Sequence, residues 1–163
     1  MYYPTKKDFA VIFRIIHEHL EGDEKPPQYE IEEKGLKRFR GITEMAKLGY
    51  YEGFFKKLTA IFVGINKGHF FSNGNKRLAL VTALDFIFSN KYMIRRYSKD
   101  KYAAKIKETF PGFDKFKDYK DFSVEEFAFY NVAIIVADSQ EYVESHDDLK
   151  GRVETFLRFA TYK

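Results

Sequence analysis

The chain has 163 residues, of which 45% are hydrophobic, 18% aromatic and 32% charged, and its formal net charge is +4. This length suits a single domain, residues 1–163, with a sizeable core, and the composition excludes a disordered or low-complexity protein. The absence of cysteine excludes disulfides and cysteine-ligated metal sites.

Charge and hydropathy narrow the class of protein further. The 28 basic residues are dispersed among 24 acidic ones, and this pattern argues against a nucleic-acid partner, which favours clustered basic faces. The first seven residues lack the apolar segment of a signal peptide, and the longest apolar run, 127–137, is too short to span a bilayer. We therefore expect a cytoplasmic protein that makes no membrane contact.

The first half of the chain predicts three helices. Thr5 and Asp8 have the spacing of a capping box, and apolar residues follow at helical spacing as far as Leu20. Two prolines then interrupt the pattern. The segment Gln28-Tyr29-Glu30-Ile31 is either extended or a plain connecting loop. Apolar stripes predict helices over 32–48, with a possible break at Gly41, and over 51–66.

The second half predicts four more helices. Residues 75–89 are apolar almost all round, which predicts a central, buried helix. Ser98 opens a predicted helix that ends near residue 109. Ser123 and Glu126 form a second capping box, in front of a helix expected to reach residue 143, and a last helix covers 149–160. The whole pattern predicts an all-α domain of about seven helices.

Between the fifth and sixth predicted helices, residues 113–122 alternate aromatic and charged side chains. This strip would suit a partner-binding surface. It would equally suit a loop that is pinned to the core by its rings, and we favour this second interpretation.

Chemistry is concentrated in the nine residues 69–77, His-Phe-Phe-Ser-Asn-Gly-Asn-Lys-Arg, where a loop leads into the central helix. A helix N-terminus attracts anions because its first N–H groups lack partners and its dipole is positive there. Gly74 permits a close approach of the backbone to a phosphate. Lys76 and Arg77 place two cations at a positive helix end, which is unfavourable unless an anion binds. His69 can accept a proton at neutral pH.

The spacing His69-x-Phe71-x-x-Gly74-Asn75-Lys76-Arg77 resembles the Fic/Doc signature, His-x-Phe-x-Asp/Glu-Gly/Ala-Asn-Gly/Lys-Arg. Lysine before the final arginine resembles the Doc (death-on-curing toxin) branch, and the similarity extends over about residues 59–90. The resemblance implies the Fic fold, a helical bundle around the motif-bearing helix. It also implies that Gln28–Ile31 is a flap strand, which would align a target peptide by strand addition.

The resemblance further implies an enzyme that moves a phosphate-containing group from ATP, or another nucleoside triphosphate, to a Ser, Thr or Tyr hydroxyl of a protein. His69 would be the catalytic base and Phe71 the structural anchor of the motif. Gly74 and Asn75 would form an anion hole with backbone N–H and side-chain amide, and Arg77 would grip the phosphates bidentately. The residues implied to bind nucleotide or phosphate are Gly74, Asn75, Lys76 and Arg77.

One position departs from the signature. Asn73 stands where Asp or Glu would bind Mg²⁺, and an amide oxygen lacks the charge that this ion prefers. Doc-like phosphotransfer is the favoured function. The alternatives are a protein adenylyltransferase and a catalytically impaired module that binds nucleotide or a partner.

Control of the activity is expected to come from outside the chain. The inhibitory motif of many Fic proteins has Ser or Thr four residues before a Glu-Gly pair. Here His17 and Leu48 hold those positions before the two Glu-Gly pairs. The expectation is a small antitoxin-like inhibitor, as in a toxin–antitoxin pair, or no such control.

Overall fold

The computed structural model describes residues 1–19, 27–119 and 122–163. Within these ranges the chain forms seven α-helices and one two-stranded sheet. The helices are α1 (Lys6–Glu18), α2 (Glu33–Lys47), α3 (Gly53–Gly68), α4 (Asn75–Ser89), α5 (Lys99–Thr109), α6 (Val124–Ala137) and α7 (His146–Ala160). Strands β1 (Met93–Ile94) and β2 (Thr161–Tyr162) pair antiparallel, with Met93 opposite Tyr162. The predicted all-α architecture is confirmed.

Helix α4 lies at the centre, in contact with α1, α3 and α6. Its bounds are those predicted from its nearly uniform apolar character. Ala79 and Ala83 are fully buried and have small side chains, so neighbouring helices can approach closely. Each large apolar side chain buried on α4, such as Phe86, stabilises the fold by about 1.5–3 kcal/mol. This core fixes the position of the helix whose N-terminus carries the motif.

Both predicted capping boxes are present. The N–H of Thr5 donates to Asp8 Oδ2 (2.6 Å) at the start of α1. At the start of α6, the N–H of Ser123 donates to Glu126 Oε2 (2.7 Å), and the N–H of Glu126 donates back to Ser123 Oγ (3.2 Å). These bonds satisfy N–H groups that have no acceptor within the helix.

Several helix boundaries differ from the prediction. Helix α3 covers Gly53–Gly68 rather than 51–66, and α7 begins at His146 rather than at residue 149. Gly41 does not break α2, which continues through it. Helix α6 ends at Ala137 rather than near residue 143, and a 3₁₀ turn, Ser139–Glu141, follows. Ser139 turns inward there, because its hydroxyl accepts a hydrogen bond from Lys67 Nζ (3.0 Å). The predicted end of the first helix at Leu20 lies outside the described residues.

Of the two interpretations of Gln28–Ile31, the extended one is wrong. Tyr29–Ile31 forms a 3₁₀ turn, and the flap strand is not formed there. Tyr29 is fully buried, and its ring stacks on Phe13 with the centroids 4.7 Å apart. Its hydroxyl donates to the carbonyl oxygen of Gly74 (2.8 Å). Burial of this ring therefore pulls the segment into the core and prevents an extended edge.

The aromatic side chains of the strip 113–122 pack inward, as the loop interpretation expects. Phe113 and Phe122 are buried, and Phe116 and Tyr119 pack against the core. Phe113 and Phe116 meet edge to face with their centroids 4.8 Å apart. The loop between α5 and α6 is thus held by its own rings.

No helix within the described ranges has both the length and the apolar character that a membrane span requires.

Candidate active site

The motif loop joins the C-terminus of α3 to the N-terminus of α4. His69 caps α3 with φ 45° and ψ 51°, so the left-handed residue at this junction is His69. A residue other than glycine pays a conformational cost in this region, and such strain is concentrated at functional sites. The strained backbone fixes where the His69 side chain, which is exposed, leaves the loop.

Gly74 is the N-cap of α4 and cannot readily be replaced. Its φ is 74°, a conformation that favours glycine. A Cβ at this position would collide with the Tyr29 hydroxyl and would lie 2.9 Å from Pro27 Cβ. Glycine is therefore required here both by the backbone angle and by the close approach of the 27–29 segment.

The loop is closed internally by Asn75 and Phe71. The N–H of Phe71 donates to Asn75 Oδ1 (3.0 Å), and Asn75 Nδ2 donates to the Phe71 carbonyl oxygen (2.6 Å). Phe71 is buried, and its ring meets that of Tyr29 edge to face at 4.8 Å. The Asn75 side chain thus holds the loop, a role that the motif alone did not indicate.

Helix α2 and the residue before it supply a second support, which the sequence analysis missed. Glu32 accepts hydrogen bonds from the N–H (3.0 Å) and the hydroxyl (2.5 Å) of Ser72. A Cβ on Gly35 would lie 2.7 Å from ring atoms of Phe71, so only glycine lets α2 come this close to the loop. These partners are about forty positions apart in the chain, and no local pattern connects them.

A cavity of about 220 Å³ opens at the N-terminus of α4. It is lined by Asn66, His69, Ser72, Asn73, Gly74, Asn75, Lys76 and Ala137. The first intrahelical bond of α4 runs from the Leu78 N–H to the Gly74 carbonyl oxygen (2.9 Å), so the N–H groups of Asn75 and Lys76 precede the hydrogen-bonded helix. The positive end of the helix and the Lys76 ammonium group make this cavity suited to an anion.

Arg77 is not among the residues that line this cavity. Its side chain is buried, and its Cζ lies 5.4 Å from the ring centroids of Phe122 and Tyr130 and 5.8 Å from that of Tyr119. Arg77 Nη1 donates to the carbonyl oxygen of His19 (3.3 Å). The structure thus brings His69, Asn73, Gly74, Asn75 and Lys76 together and places Arg77 apart from them.

A second cavity, of about 230 Å³, lies between the start of α3 and α7. It is lined by residues such as Tyr50, Lys56 and Lys150 and contains no residue of the motif. The cavity at α4 is therefore the one in which the predicted chemistry converges.

Comparison with known protein families agrees with this geometry. Residues 8–87 match the Fic/DOC family. The matched segment covers about half of the chain, from α1 to the end of α4, and includes the whole motif loop. The helical architecture is consistent with the all-α Fic fold. Neither a curated protein nor a solved structure matched the chain.

The Fic/DOC match covers more of the chain than the motif loop. The match extends over α1 and α2 as well as the motif, and both of these elements contribute to the site. Residue 19 follows α1 and meets Arg77, while α2 buttresses Phe71 through Gly35. The family resemblance thus covers the surroundings of the loop and not its nine residues alone.

The donor set at the cavity fits a protein-held Mg²⁺ poorly. Among the described residues that line the cavity there is no Asp or Glu, and Lys76 adds a positive charge. No group of three His, Asp or Glu residues that could hold a metal occurs within the described ranges. Asn73 offers only an amide oxygen, whereas Mg²⁺ is usually held by carboxylates together with phosphates. Positive charge at this site is therefore supplied by the chain itself, through Lys76 and the helix terminus.

Asp85, the acidic residue of α4, lies too far from the motif to take part in its chemistry. It is nine residues beyond Lys76, about 14 Å along the helix axis. Burial, together with the negative charge of Asp8, raises the pKa of Asp85 to about 6. Its Oδ2 atom is buried and makes no hydrogen bond within the described part of the chain. Asp85 is thus not placed to act at the motif.

Proposed function

We propose that the protein is a nucleotide-dependent transferase that moves a phosphate-containing group from ATP, or another nucleoside triphosphate, to a Ser, Thr or Tyr hydroxyl of a target protein. The observation that carries this proposal is the shared cavity: His69 and the N-terminus of α4, with Lys76, face the same space. The N-terminus of α4 and Lys76 can hold phosphates on one side of the cavity, and His69 can accept a proton on the other.

The phosphates lie at the start of α4. The N–H groups of Asn75 and Lys76 donate to phosphate oxygens, and the Lys76 ammonium group neutralises part of their charge. These contacts need no rearrangement of the loop, because Asn75 and Phe71 already hold it closed.

His69 acts as the general base. Its imidazole takes the proton of the target hydroxyl while the hydroxyl oxygen bonds to phosphorus and the bond to the leaving phosphate oxygen breaks. Attack at the γ-phosphorus transfers a phosphoryl group and releases the nucleoside diphosphate. A base in this role contributes about 10²–10⁴-fold to the rate. The exposure of His69 suits this role because the hydroxyl must arrive from outside.

Transfer of the terminal phosphate is favoured over transfer of the nucleotide. Lys76 occupies the cavity with a long cation, as in the Doc branch, and restricts the space around the phosphates. Attack at the α-phosphorus, which would transfer the nucleoside monophosphate and release pyrophosphate, is the alternative reaction. A third hypothesis, a module that binds nucleotide without reacting, is supported by the absence of carboxylates among the described lining residues.

The target docks beside the motif, on the segment Gln28–Ile31. The side chains of Gln28, Glu30 and Ile31 are exposed, and Ile31 has 72% of its surface accessible. The segment is fixed to the site through the bond from the Tyr29 hydroxyl to Gly74. Docking through these side chains replaces strand addition, since the segment is a 3₁₀ turn. A small inhibitor of the antitoxin kind, if the protein is a toxin, would act by covering the same surface.

Incubation with ATP labelled separately at the α- and γ-phosphates, in a bacterial lysate, tests the proposal. Label transferred to protein from the γ-position alone, and lost in His69→Ala, is the expected result. Transfer from the α-position would change the reaction to adenylylation. ATP binding without transfer would favour the non-reacting module, and absence of both binding and transfer would contradict the proposal.

A further inference from the structure

We propose that the cavity between α3 and α7 is a second binding site, which takes a small zwitterion: a free amino acid with an aromatic or apolar side chain. The cavity has a volume of about 230 Å³ and contains no residue of the motif. Small residues keep it open, a buried hydroxyl group and three charges in it lack partners, and two aromatic rings form a wall. The site is independent of the proposed transferase function.

The cavity lies where one side of α3 faces one side of α7. Its lining residues recur three or four positions apart on each helix, so they share a face: Lys56, Thr59 and Ala60 on α3, and Asp147, Lys150, Gly151 and Glu154 on α7. Ala60 and Gly151 have the smallest side chains of these sets. A Cβ on Gly151 would meet no atom within 4 Å. Small residues at facing positions thus leave the space between the two helices open.

Thr59 contributes a buried hydroxyl group to the cavity. Its surface is 3% accessible, and its Oγ1 atom makes no hydrogen bond within the described part of the chain. Two other threonines, by contrast, donate to the carbonyl oxygen four residues earlier: Thr109 to Lys105 (2.8 Å) and Thr155 to Gly151 (2.9 Å). A buried hydroxyl group without a partner destabilises the fold. The Thr59 hydroxyl is therefore available to a polar group of a ligand.

Three charged side chains at the cavity are also available. Lys56, Lys150 and Asp147 form no ion pair with any other described residue. The carboxylate of Glu154 is instead held by Arg158, which donates to its Oε1 from Nε (2.9 Å) and Nη2 (2.7 Å). Two ammonium groups and one carboxylate remain. They match a ligand whose carboxylate binds the two lysines and whose ammonium group binds the aspartate.

The turn before α3 supplies an aromatic wall. Tyr50 and Tyr51 line the cavity, and their rings meet edge to face with the centroids 5.1 Å apart. Tyr50 is 83% accessible, so its ring is available for contact. Lys57, which is buried, fixes the turn, because its ammonium group donates to the carbonyl oxygens of Ala46 (2.5 Å) and Leu48 (3.2 Å). Rings held in this way suit an aromatic or apolar side chain of the ligand.

Titration of amino acids into ¹⁵N-labelled protein tests the site. We expect L-phenylalanine, L-leucine or both to bind with saturation below about 10 mM, and the largest amide shifts to occur at Thr59, Ala60 and Gly151. The N-acetyl derivative of the tighter ligand lacks the ammonium group, and its amide derivative lacks the carboxylate. Each should bind about tenfold or more weakly, because a charge-assisted contact is lost. The amide derivative should bind most weakly, since two of the three available charges are positive.

Thr59→Val removes the hydroxyl group and should weaken amino acid binding about tenfold while it raises Tm, because the folded protein loses a buried polar group without a partner. Thr82→Val is the matched control. Thr82 is also fully buried, and its Oγ1 atom likewise lacks a hydrogen bond among the described residues, but it lies outside this cavity. The control should raise Tm and leave binding unchanged.

Gly151→Leu tests the space itself. The longer side chain occupies the cavity and should abolish amino acid binding. Gly41→Leu is the control, since Gly41 is an exposed glycine of α2 that likewise has no atom near its Cβ position. Leucine is favoured over glycine within a helix, so neither variant should lower Tm.

Three results would overturn the inference. The first is no saturable binding of either amino acid up to about 10 mM. The second is equal affinity for the amino acid and its two derivatives, which would mean that the charges of the site do not read the ligand. The third is unchanged binding in both Thr59→Val and Gly151→Leu, which would place the amino acid elsewhere on the protein.

Discussion

The two sides of the first turn of α4 differ in exposure and in packing, although each side carries one of two adjacent cations. On one side Lys76 faces an open cavity with amides, backbone N–H groups and the strained His69. On the other side Arg77 is buried among three rings. The polar groups around Lys76 are available to a ligand. The guanidinium group of Arg77 instead makes its contacts within the fold. A motif residue therefore acquires its role from what packs against it as well as from its type.

The largest expected effect concerns the cavity side. His69→Ala should lower the rate of label transfer from ATP by about 10²–10⁴-fold, because it removes the general base. ATP affinity and Tm should change little, since the side chain is exposed. Single-turnover measurements with labelled ATP provide the rates. His146→Ala, which alters an exposed histidine outside the cavity, is the matched control, and equal rates in the two variants would refute the assignment of His69.

Gly74→Ala tests how firmly the loop is built around its glycine. The substitution places a Cβ against Tyr29 and Pro27 at positive φ and should destabilise the protein by about 2–3 kcal/mol. Thermal unfolding measures the loss. Gly41→Ala is the control, because a Cβ on Gly41 meets no atom within 4 Å and alanine is favoured within a helix. A Gly74→Ala protein as stable as Gly41→Ala would contradict the described geometry.

Asp85 extends the comparison to a partly buried acidic group farther along the same helix. Because its folded-state pKa is raised to about 6 from 3.8, the folded protein keeps a proton that the unfolded chain releases as the pH rises from about 4 to 6. The contribution of Asp85 to stability should therefore fall across this range and then level off. Asp85→Asn should abolish this pH-dependent loss of stability, because the amide does not titrate. After allowance for partial exposure, we expect it to stabilise the protein by about 1 kcal/mol at pH 7.5.

Unfolding by urea at pH 3.5 and pH 7.5 measures this effect. Wild type and Asp85→Asn should be equally stable at the lower pH, where the carboxyl is protonated in both states. A variant that is less stable than wild type at pH 7.5 would show that the carboxylate has a favourable partner.

The smallest expected effect concerns the metal. Asn73→Asp adds the carboxylate that the described lining lacks, and Mg²⁺ should then strengthen ATP binding by about three- to tenfold more than it does in wild type. ATP is titrated into each protein once with Mg²⁺ and once with EDTA. The ratio of the two affinities gives the effect of Mg²⁺ in wild type and in Asn73→Asp. The same ratio in the two proteins would mean that residue 73 does not face the bound phosphates.

The features that could be predicted from the sequence are local ones. The bounds of α4 follow from a continuous apolar segment, and the two capping boxes follow from residues three positions apart. The nine residues of the motif likewise indicate an anion site. Each of these depends on neighbours in the chain, so a local pattern suffices.

The features that could not be predicted depend on residues distant in the chain. The support of Ser72 by Glu32 joins positions forty residues apart. The extended interpretation of Gln28–Ile31 was wrong because Tyr29 has its partners elsewhere in the chain, at Phe13 and Gly74. In the same way, no spacing within the motif indicates that Arg77 turns towards the rings while Lys76 turns towards the cavity.

The central claim is that the cavity at the start of α4 binds the triphosphate of a nucleotide. Titration of ATP into ¹⁵N-labelled protein, followed by amide resonances, tests it most directly. We expect the largest shifts at the amides of Gly74, Asn75 and Lys76. Shifts concentrated at the cavity between α3 and α7, around Tyr50 and Lys150, would contradict the account.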